Sequence, residues 1–202
     1  MKKIFSVFIA FLVFMPLQSA SAATQHTVKW GDTMWKIAAR YQVGVSEILS
    51  SNPQIKNPDM IYPGQTINVP DLGEIKQFEQ KVVQLTNQER AKYGLKPLVS
   101  DWELARVARF KSDDMRDKNY FSHTSPTYGS PFDMIKNFGI TYRSAGENIA
   151  AGQKTPEEVV QAWMNSSGHR ANILNKDFTH IGVGYSKGGS YGVYWTQMFM
   201  SK

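Results

Sequence analysis

Tyr120-Phe-Ser-His-Thr-Ser-Pro126, Gly146-Glu-Asn148, Gly168-His-Arg-Ala-Asn-Ile-Leu174 and Tyr194-Trp-Thr-Gln-Met-Phe199 carry the pattern most specific to one architecture. The first three set His123, Glu147 and His169 beside turn residues or at helix ends, where side chains can converge on a cleft. Around them the spacing of apolar residues describes helices flanking a sheet. Ile75, Phe78, Val82 and Leu85 recur at helical intervals, and Gly94 supplies a left-handed stop before Lys96-Pro97. Ser100-Asp-Trp-Glu103 reads as a capping box opening a helix with Leu104, Ala105 and Ala108 turned inward. Thr155-Pro-Glu-Glu158 reads as a second box, with proline in the first turn, before Val159, Val160 and Trp163. Strands are expected from Ala145 to Ala150, His180 to Tyr185 and Tyr191 to Phe199, giving a central antiparallel sheet.

In this order the motifs resemble the CAP family (cysteine-rich secretory, antigen 5 and pathogenesis-related 1 proteins) in its bacterial form, from Glu74 to Phe199. The resemblance implies an α-β-α sandwich with a shared cavity and no single reaction. It places His123 in the family's His-x-Ser-Pro segment, Glu147 in Gly-Glu-Asn, and His169 at the later histidine position. Larger relatives often add a second glutamate three residues after a helix tryptophan. Counted from Trp163 that place is Ser166, so a pair of carboxylates has become one carboxylate and a hydroxyl, which weakens two-carboxylate chemistry.

Three chemistries stay open for His123, Glu147 and His169. Two imidazoles and a carboxylate could hold a divalent metal such as zinc, with one position left for water. Alternatively, Glu147 could orient one histidine as a proton-transfer base, with Ser166 or a water as its partner. No Gly-x-Ser-x-Gly elbow or cysteine offers a primed nucleophile for that route. The trio could also be a hydrogen-bonded cluster that props loops open around a binding cleft. Asn148 is read as bracing Glu147 in the same cavity, Arg170 and Asn172 as holding the turn after His169, and His180 as an edge-strand residue.

A second, smaller pattern precedes this one. His26-Thr-Val-Lys-Trp30 alternates as a strand does, with Val28 inward. Asp32 is placed to cap a helix carrying Trp35, Ala38 and Tyr41 on one face. Gly44 starts a second helix with Ile48 and Leu49 inward, Asn52-Pro53 stops it, and Tyr62-Pro-Gly-Gln65 turns the chain into the strand Thr66-Ile-Asn-Val69. Gly-Asp-Thr-Met-Trp, Asn-Pro-Gln-Ile and Ile-Tyr-Pro-Gly-Gln at these distances resemble a LysM domain almost end to end. That family implies a βααβ fold binding N-acetylglucosamine glycans such as peptidoglycan in a shallow groove between two loops. Carried over, the groove is lined by Gly31, Asp32, Thr33 and Met34 on one side and by Asn52, Pro53, Ile55, Ile61 and Tyr62 on the other. A single shallow groove is expected to bind weakly, with no second copy to add avidity.

The ends and the composition set the compartment. Lys2 and Lys3, the apolar run Ile4 to Phe14 and Ala20-Ser21-Ala22 form an export signal at residues 1–22, too short to span a bilayer comfortably. Its removal takes away two lysines and lowers the formal charge from +6 to +4. A modest positive excess suits a polyanionic wall and equally an ordinary surface. No basic run interleaved with exposed aromatics points to nucleic acid. The chain has no cysteine, so an exported domain must be held by its core alone. Eukaryotic members of the resembled family are often disulfide-bonded, which favours a Gram-positive bacterial source.

The expected organisation is a signal peptide (1–22), a LysM module (26–70), a short linker (71–77) and a CAP domain (78–200), an α+β chain. Its expected role is that of a secreted, wall-associated protein, spore layers included, which grips peptidoglycan or another N-acetylglucosamine glycan and holds a further ligand or wall protein in the His123, Glu147, His169 cavity. A wall hydrolase and a non-catalytic interaction module are the rival readings. No nucleic-acid partner and no stable membrane span after signal cleavage are expected.

Overall fold

The computed structural model describes residues 24–202, so the expected signal peptide lies outside the described residues. The N-terminal module is β1 (Thr24–Thr27), α1 (Met34–Tyr41), α2 (Val45–Ser50) and β2 (Thr66–Val69), with β1 antiparallel to β2 and His26 opposite Ile67. Val28 is buried beyond the end of β1, where its N–H donates to the Gln65 carbonyl and its own carbonyl accepts from Gly64.

Two local expectations are corrected here. Thr33, not Asp32, caps α1, its hydroxyl accepting from the Lys36 N–H. The Asp32 carboxylate is already engaged by His26 Nε2 at 2.8 Å and the Lys29 N–H at 2.9 Å. The buried stripe of α1 is Met34, Ile37 and Ala38, which leaves Trp35 one position off that stripe and 65% exposed. Asn52 is fully buried and pins α2 to β2: its amide donates to the carbonyls of Ile48 and Asn68, and its oxygen accepts from the Asn68 N–H.

The larger domain comprises α3 (Gly73–Lys92), β3 (Val99–Ser100), α4 (Trp102–Asp117), α5 (Pro131–Asn137), β4 (Ser144–Ala151), α6 (Pro156–Asn165), α7 (Ser167–Ile173), β5 (His180–Lys187) and β6 (Val193–Ser201). Residues 73–77, expected as linker, form the opening turns of α3. The sheet runs β3-β5-β6-β4; β6 is antiparallel to both β5 and β4, and the two-residue β3 lies parallel to β5. His180 is therefore flanked by Val99 and Met200 and is not on an edge.

Alternation along β6 sorts the core into two layers. Trp195 and Phe199 pack with Val82 of α3, Val159, Val160 and Trp163 of α6 and Ile173 of α7. Met198 and Met200 pack with Leu104, Val107 and Ala108 of α4 and Met134 and Ile135 of α5. Helix α4 lies directly on β5, because a Cβ at Gly182 or Gly184 would overlap the backbone of Ala105 or Ala108.

The helix starts differ in detail from expectation. Asp101, not Ser100, caps α4, accepting from the Leu104 N–H at 2.9 Å, since Ser100 belongs to β3. Thr155 caps α6 as expected, but the Glu158 carboxylate accepts from the Lys154 N–H, so the box is not reciprocal. A reciprocal box forms instead at Ser130 and Asp133, with Pro131 at the start of α5.

The two units are braced together. Arg106 of α4 donates to both oxygens of Glu47 at 2.7 and 3.0 Å and to Ser46 Oγ at 2.9 Å, and the Lys76 ammonium donates to the Tyr41 carbonyl at 2.6 Å.

Candidate functional site

The sheet edge at β4 organises the candidate residues. Glu147 stands opposite Met198 and Asn148 opposite Gln197, so consecutive side chains leave β4 on opposite faces. Glu147 turns toward the α4 side and meets the loop after that helix, where His123 Nδ1 lies 2.7 Å from Glu147 Oε1. The carboxylate is almost fully buried, at 2% exposure, while the imidazole is 54% exposed. An ionised carboxylate only accepts, so Nδ1 carries the proton and Nε2 is left as the basic nitrogen. Among the described residues Glu147 Oε2 has no hydrogen-bond partner. Leaving such a buried acceptor unpaired costs about 1–3 kcal/mol.

Asn148 turns the other way and ties β4 to α7. Its amide donates to the His169 carbonyl and to Gln197 Oε1, both at 3.0 Å, and its oxygen accepts from Asn172 at 2.8 Å. Asn172 also donates to the Glu147 carbonyl, and Gln197 donates to Thr86 of α3. Gly146 belongs to the same junction: a Cβ there would press on the Phe178 ring and the Asn172 side chain. His169 is half-buried on α7. Burial, and then the nearby His123, hold its imidazole below the usual histidine range. Ser166 is the junction between α6 and α7, ending one helix and opening the next. Arg170 lies outside this ladder, donating to the Tyr93 hydroxyl at 2.6 Å.

The loop carrying His123 is fixed by two α4 residues that sequence reasoning missed. The Lys111 ammonium, 1% exposed, donates to the carbonyls of Ser122 and His123 at 2.7 and 2.8 Å and to the Tyr120 hydroxyl at 3.2 Å. Burial lowers its pKa, with Glu147 and Asp114 opposing. One turn on, Asp114 accepts from the hydroxyls of Tyr120, Ser125 and Thr127. Burial disfavours its charge, yet those three hydroxyls keep the carboxyl below the ordinary aspartate range. A signal existed: Lys111 falls on the same helical stripe as Leu104 and Ala108, where a charged residue must find internal partners.

Among the described residues no set of three His, Cys, Asp or Glu side chains is placed to hold a metal ion. The contact between His123 Nδ1 and Glu147 Oε1 is a direct one between the two side chains.

In the N-terminal module a cavity of about 400 Å³ is lined by Asp32, Thr33, Met34, Trp35, Val45, Pro58, Asp59 and Ile61. It thus takes in four residues of the expected groove. Trp35, Val45, Pro58 and Asp59 add to that expected set. Gly31, Pro53, Ile55 and Tyr62 are not part of this cavity's lining; Ile55 packs against the module core and Tyr62 is 60% exposed. Asn52 belongs to the scaffold of the groove rather than its wall, its side chain committed to backbone on both sides.

A family model described as the cysteine-rich secretory protein family (CAP) matches residues 83–199, and a LysM domain model matches residues 26–70. The chain belongs to the CAP family. The chain is 67% identical over 128 residues to the uncharacterized protein YkwD of Bacillus subtilis (strain 168), a match covering 63% of this chain and 49% of that one. This chain therefore spans about half the length of that relative. An extracellular protein containing an SCP domain from Bacillus anthracis str. Ames superposes with a TM-score of 0.59 at 37% identity, over 69% of this chain and 47% of that one. On the LysM side, SpoIVD-associated factor A of Bacillus subtilis (strain 168) is 50% identical over 48 residues, 24% of this chain and 12% of its own. Among the described residues no helix is long and apolar enough to cross a membrane.

Proposed function

We propose that this is an exported wall protein whose LysM module grips N-acetylglucosamine glycan while the CAP domain binds a donor-bearing ligand at His123 and Glu147. One observation carries the second half: Glu147 Oε2 is a buried, unpartnered acceptor beside an exposed imidazole. A ligand N–H or O–H that reaches Oε2 removes the desolvation penalty, and binding gains what folding left unpaid. His123 Nε2 stands ready to accept a second proton donor from the same ligand. Amide- and ammonium-rich wall peptides have this chemistry.

The location follows from the LysM match and from the relative whose name associates it with SpoIVD, which brings the spore layers within the proposal. A hydrolytic reading is favoured by one feature, the carboxylate-oriented imidazole with a free Nε2, an arrangement suited to proton transfer.

Titrating the full chain with purified muropeptides, followed by the side-chain resonances of His123 and by mass spectrometry, tests both. Saturable shifts that vanish in Glu147→Gln support the ligand site. Unchanged His123 resonances at millimolar muropeptide would sink it. New cleavage products that disappear in His123→Ala would establish the hydrolase instead.

A further inference from the structure

We propose that the glycan groove does not end at the LysM module but continues over Trp35 into a cleft walled by the CAP domain, forming one composite site for an extended N-acetylglucosamine chain. The inference rests on the glycan reading of the module and adds to it a second set of subsites. The groove cavity of about 400 Å³ and a neighbouring cavity of about 240 Å³ share two residues, Trp35 and Val45. The second cavity is closed on its far side by Trp102, Glu103, Arg106 and Phe138, all from the CAP domain. Together they reach the size typical of small-molecule sites, roughly 300–1,000 Å³.

The chemistry of the cleft suits a sugar. Trp35 is 65% exposed on a helix whose Met34 and Ile37 are buried, and the half-buried Trp102 lines the second cavity with it. Indole faces offer flat apolar surface to the C–H face of a pyranose ring, and their N–H groups can bond its hydroxyls. Glu103 is exposed and supplies an acceptor for hydroxyl or acetamido protons. Arg106 spends Nε and Nη2 on Glu47 and Ser46, while Nη1 has no hydrogen bond among the described residues.

The cleft is also held in place before any ligand arrives. The Arg106 guanidinium lies 5.0 Å from the Phe110 ring centre and 5.2 Å from that of Phe138, and it grips Glu47 through two hydrogen bonds. A site preformed in this way adds contacts for a longer chain without a new ordering cost. Affinity should then keep rising with chain length after the module's own groove is full.

The test is calorimetric titration of the full chain with chitin oligomers from dimer to octamer. Trp102→Ala is expected to leave dimer affinity unchanged and to weaken the octamer about tenfold, the loss usual for truncating one aromatic anchor. Glu103→Arg, at an exposed position in the first turn of α4 and with its fold checked by circular dichroism, is expected to reproduce the selective loss. Trp35→Ala, at the shared wall, is expected to weaken every length. If both CAP-side variants bind all lengths as the wild type does, the composite site is overturned while the module's groove stands. If the wild type binds no oligomer at all, both the extension and the glycan reading beneath it are overturned.

Discussion

At the scale of single residues, the candidate centre is defined by which atoms are satisfied. Glu147 uses one oxygen to hold His123 and leaves the other empty, and burial, then the neighbouring His123, lower the pKa of His169. The His169 imidazole should therefore titrate in a histidine-resolved NMR experiment with a midpoint below the ordinary value of 6.5. Its midpoint should move upward, though not fully to that value, in His123→Ala, because the burial that comes first among its causes remains. A midpoint indifferent to His123 would separate the two rings. Since the folded state disfavours the proton, stability should fall as pH drops below 6.5 and level off beneath the folded midpoint.

Lys111 and Asp114 belong to the same scale. Lys111→Met removes three hydrogen bonds from a buried cation and should cost about 2–3 kcal/mol in urea unfolding, with the His123 resonances broadened. Asp114 has a depressed folded pKa, so its contribution is complete above the ordinary value of 3.8 and is lost as pH falls through the folded one. Acid titration of Asp114→Asn against the wild type checks this: the variant should lose the steepest part of the acid transition.

At the scale of elements, the register of β4 against β6 decides which side chain meets His123. A one-residue slip would exchange Glu147 for Asn148 on the α4 side and leave His123 without its carboxylate. Helix α4 fixes that geometry by lying on glycines. Gly184→Ala sets a methyl against the Ala108 backbone and should destabilise by about 3 kcal/mol or abolish folding, seen as a lowered urea midpoint. A second fixture is the buried pair of Glu79 on α3 and Arg109 on α4, joined by two hydrogen bonds at 2.9 and 2.7 Å. Glu79→Ala strands a buried guanidinium and should cost about 3–5 kcal/mol in the same assay.

Much at this scale was legible in the sequence. The inward stripe of Ile75, Phe78, Val82 and Leu85, the strand at Thr66–Val69 and the αL stop at Gly94 were set by period and by turn chemistry, and the structure keeps them. What failed were features decided by competition between neighbours. Asp32 lost the cap to Thr33 because His26, six residues back, already held its carboxylate. Trp35, expected on one face with Ala38 and Tyr41, parts from Ala38 because the module core takes Met34, Ile37 and Ala38 and leaves the indole outside. Convergence of His123 and Glu147 could be anticipated from motif order, but the buried anchors Lys111 and Asp114 could not be assigned partners from spacing alone. Their partners lie in a loop with no periodicity.

At the scale of the molecule, two units of unequal size act on one another through a small polar brace. The chain passes from Val69 at the end of β2 to Gly73 at the start of α3 with three residues between. Arg106→Ala removes the contacts to Glu47 and Ser46 and should leave each unit folded by circular dichroism. NMR relaxation should then show the LysM resonances tumbling faster than those of the CAP domain, whereas the wild type tumbles as one body. Equal correlation times in the variant would assign the coupling to the short connection alone.

The short connection and the Arg106 brace together have a geometric consequence for the proposed glycan capture. With both in place, a smaller unit that held a strand would set the heading of the larger one at the moment of capture. Every copy landing on parallel strands would then point its His123 mouth the same way. On a disordered mesh the bearings would scatter as the strands do, each copy's heading inherited from whatever it holds.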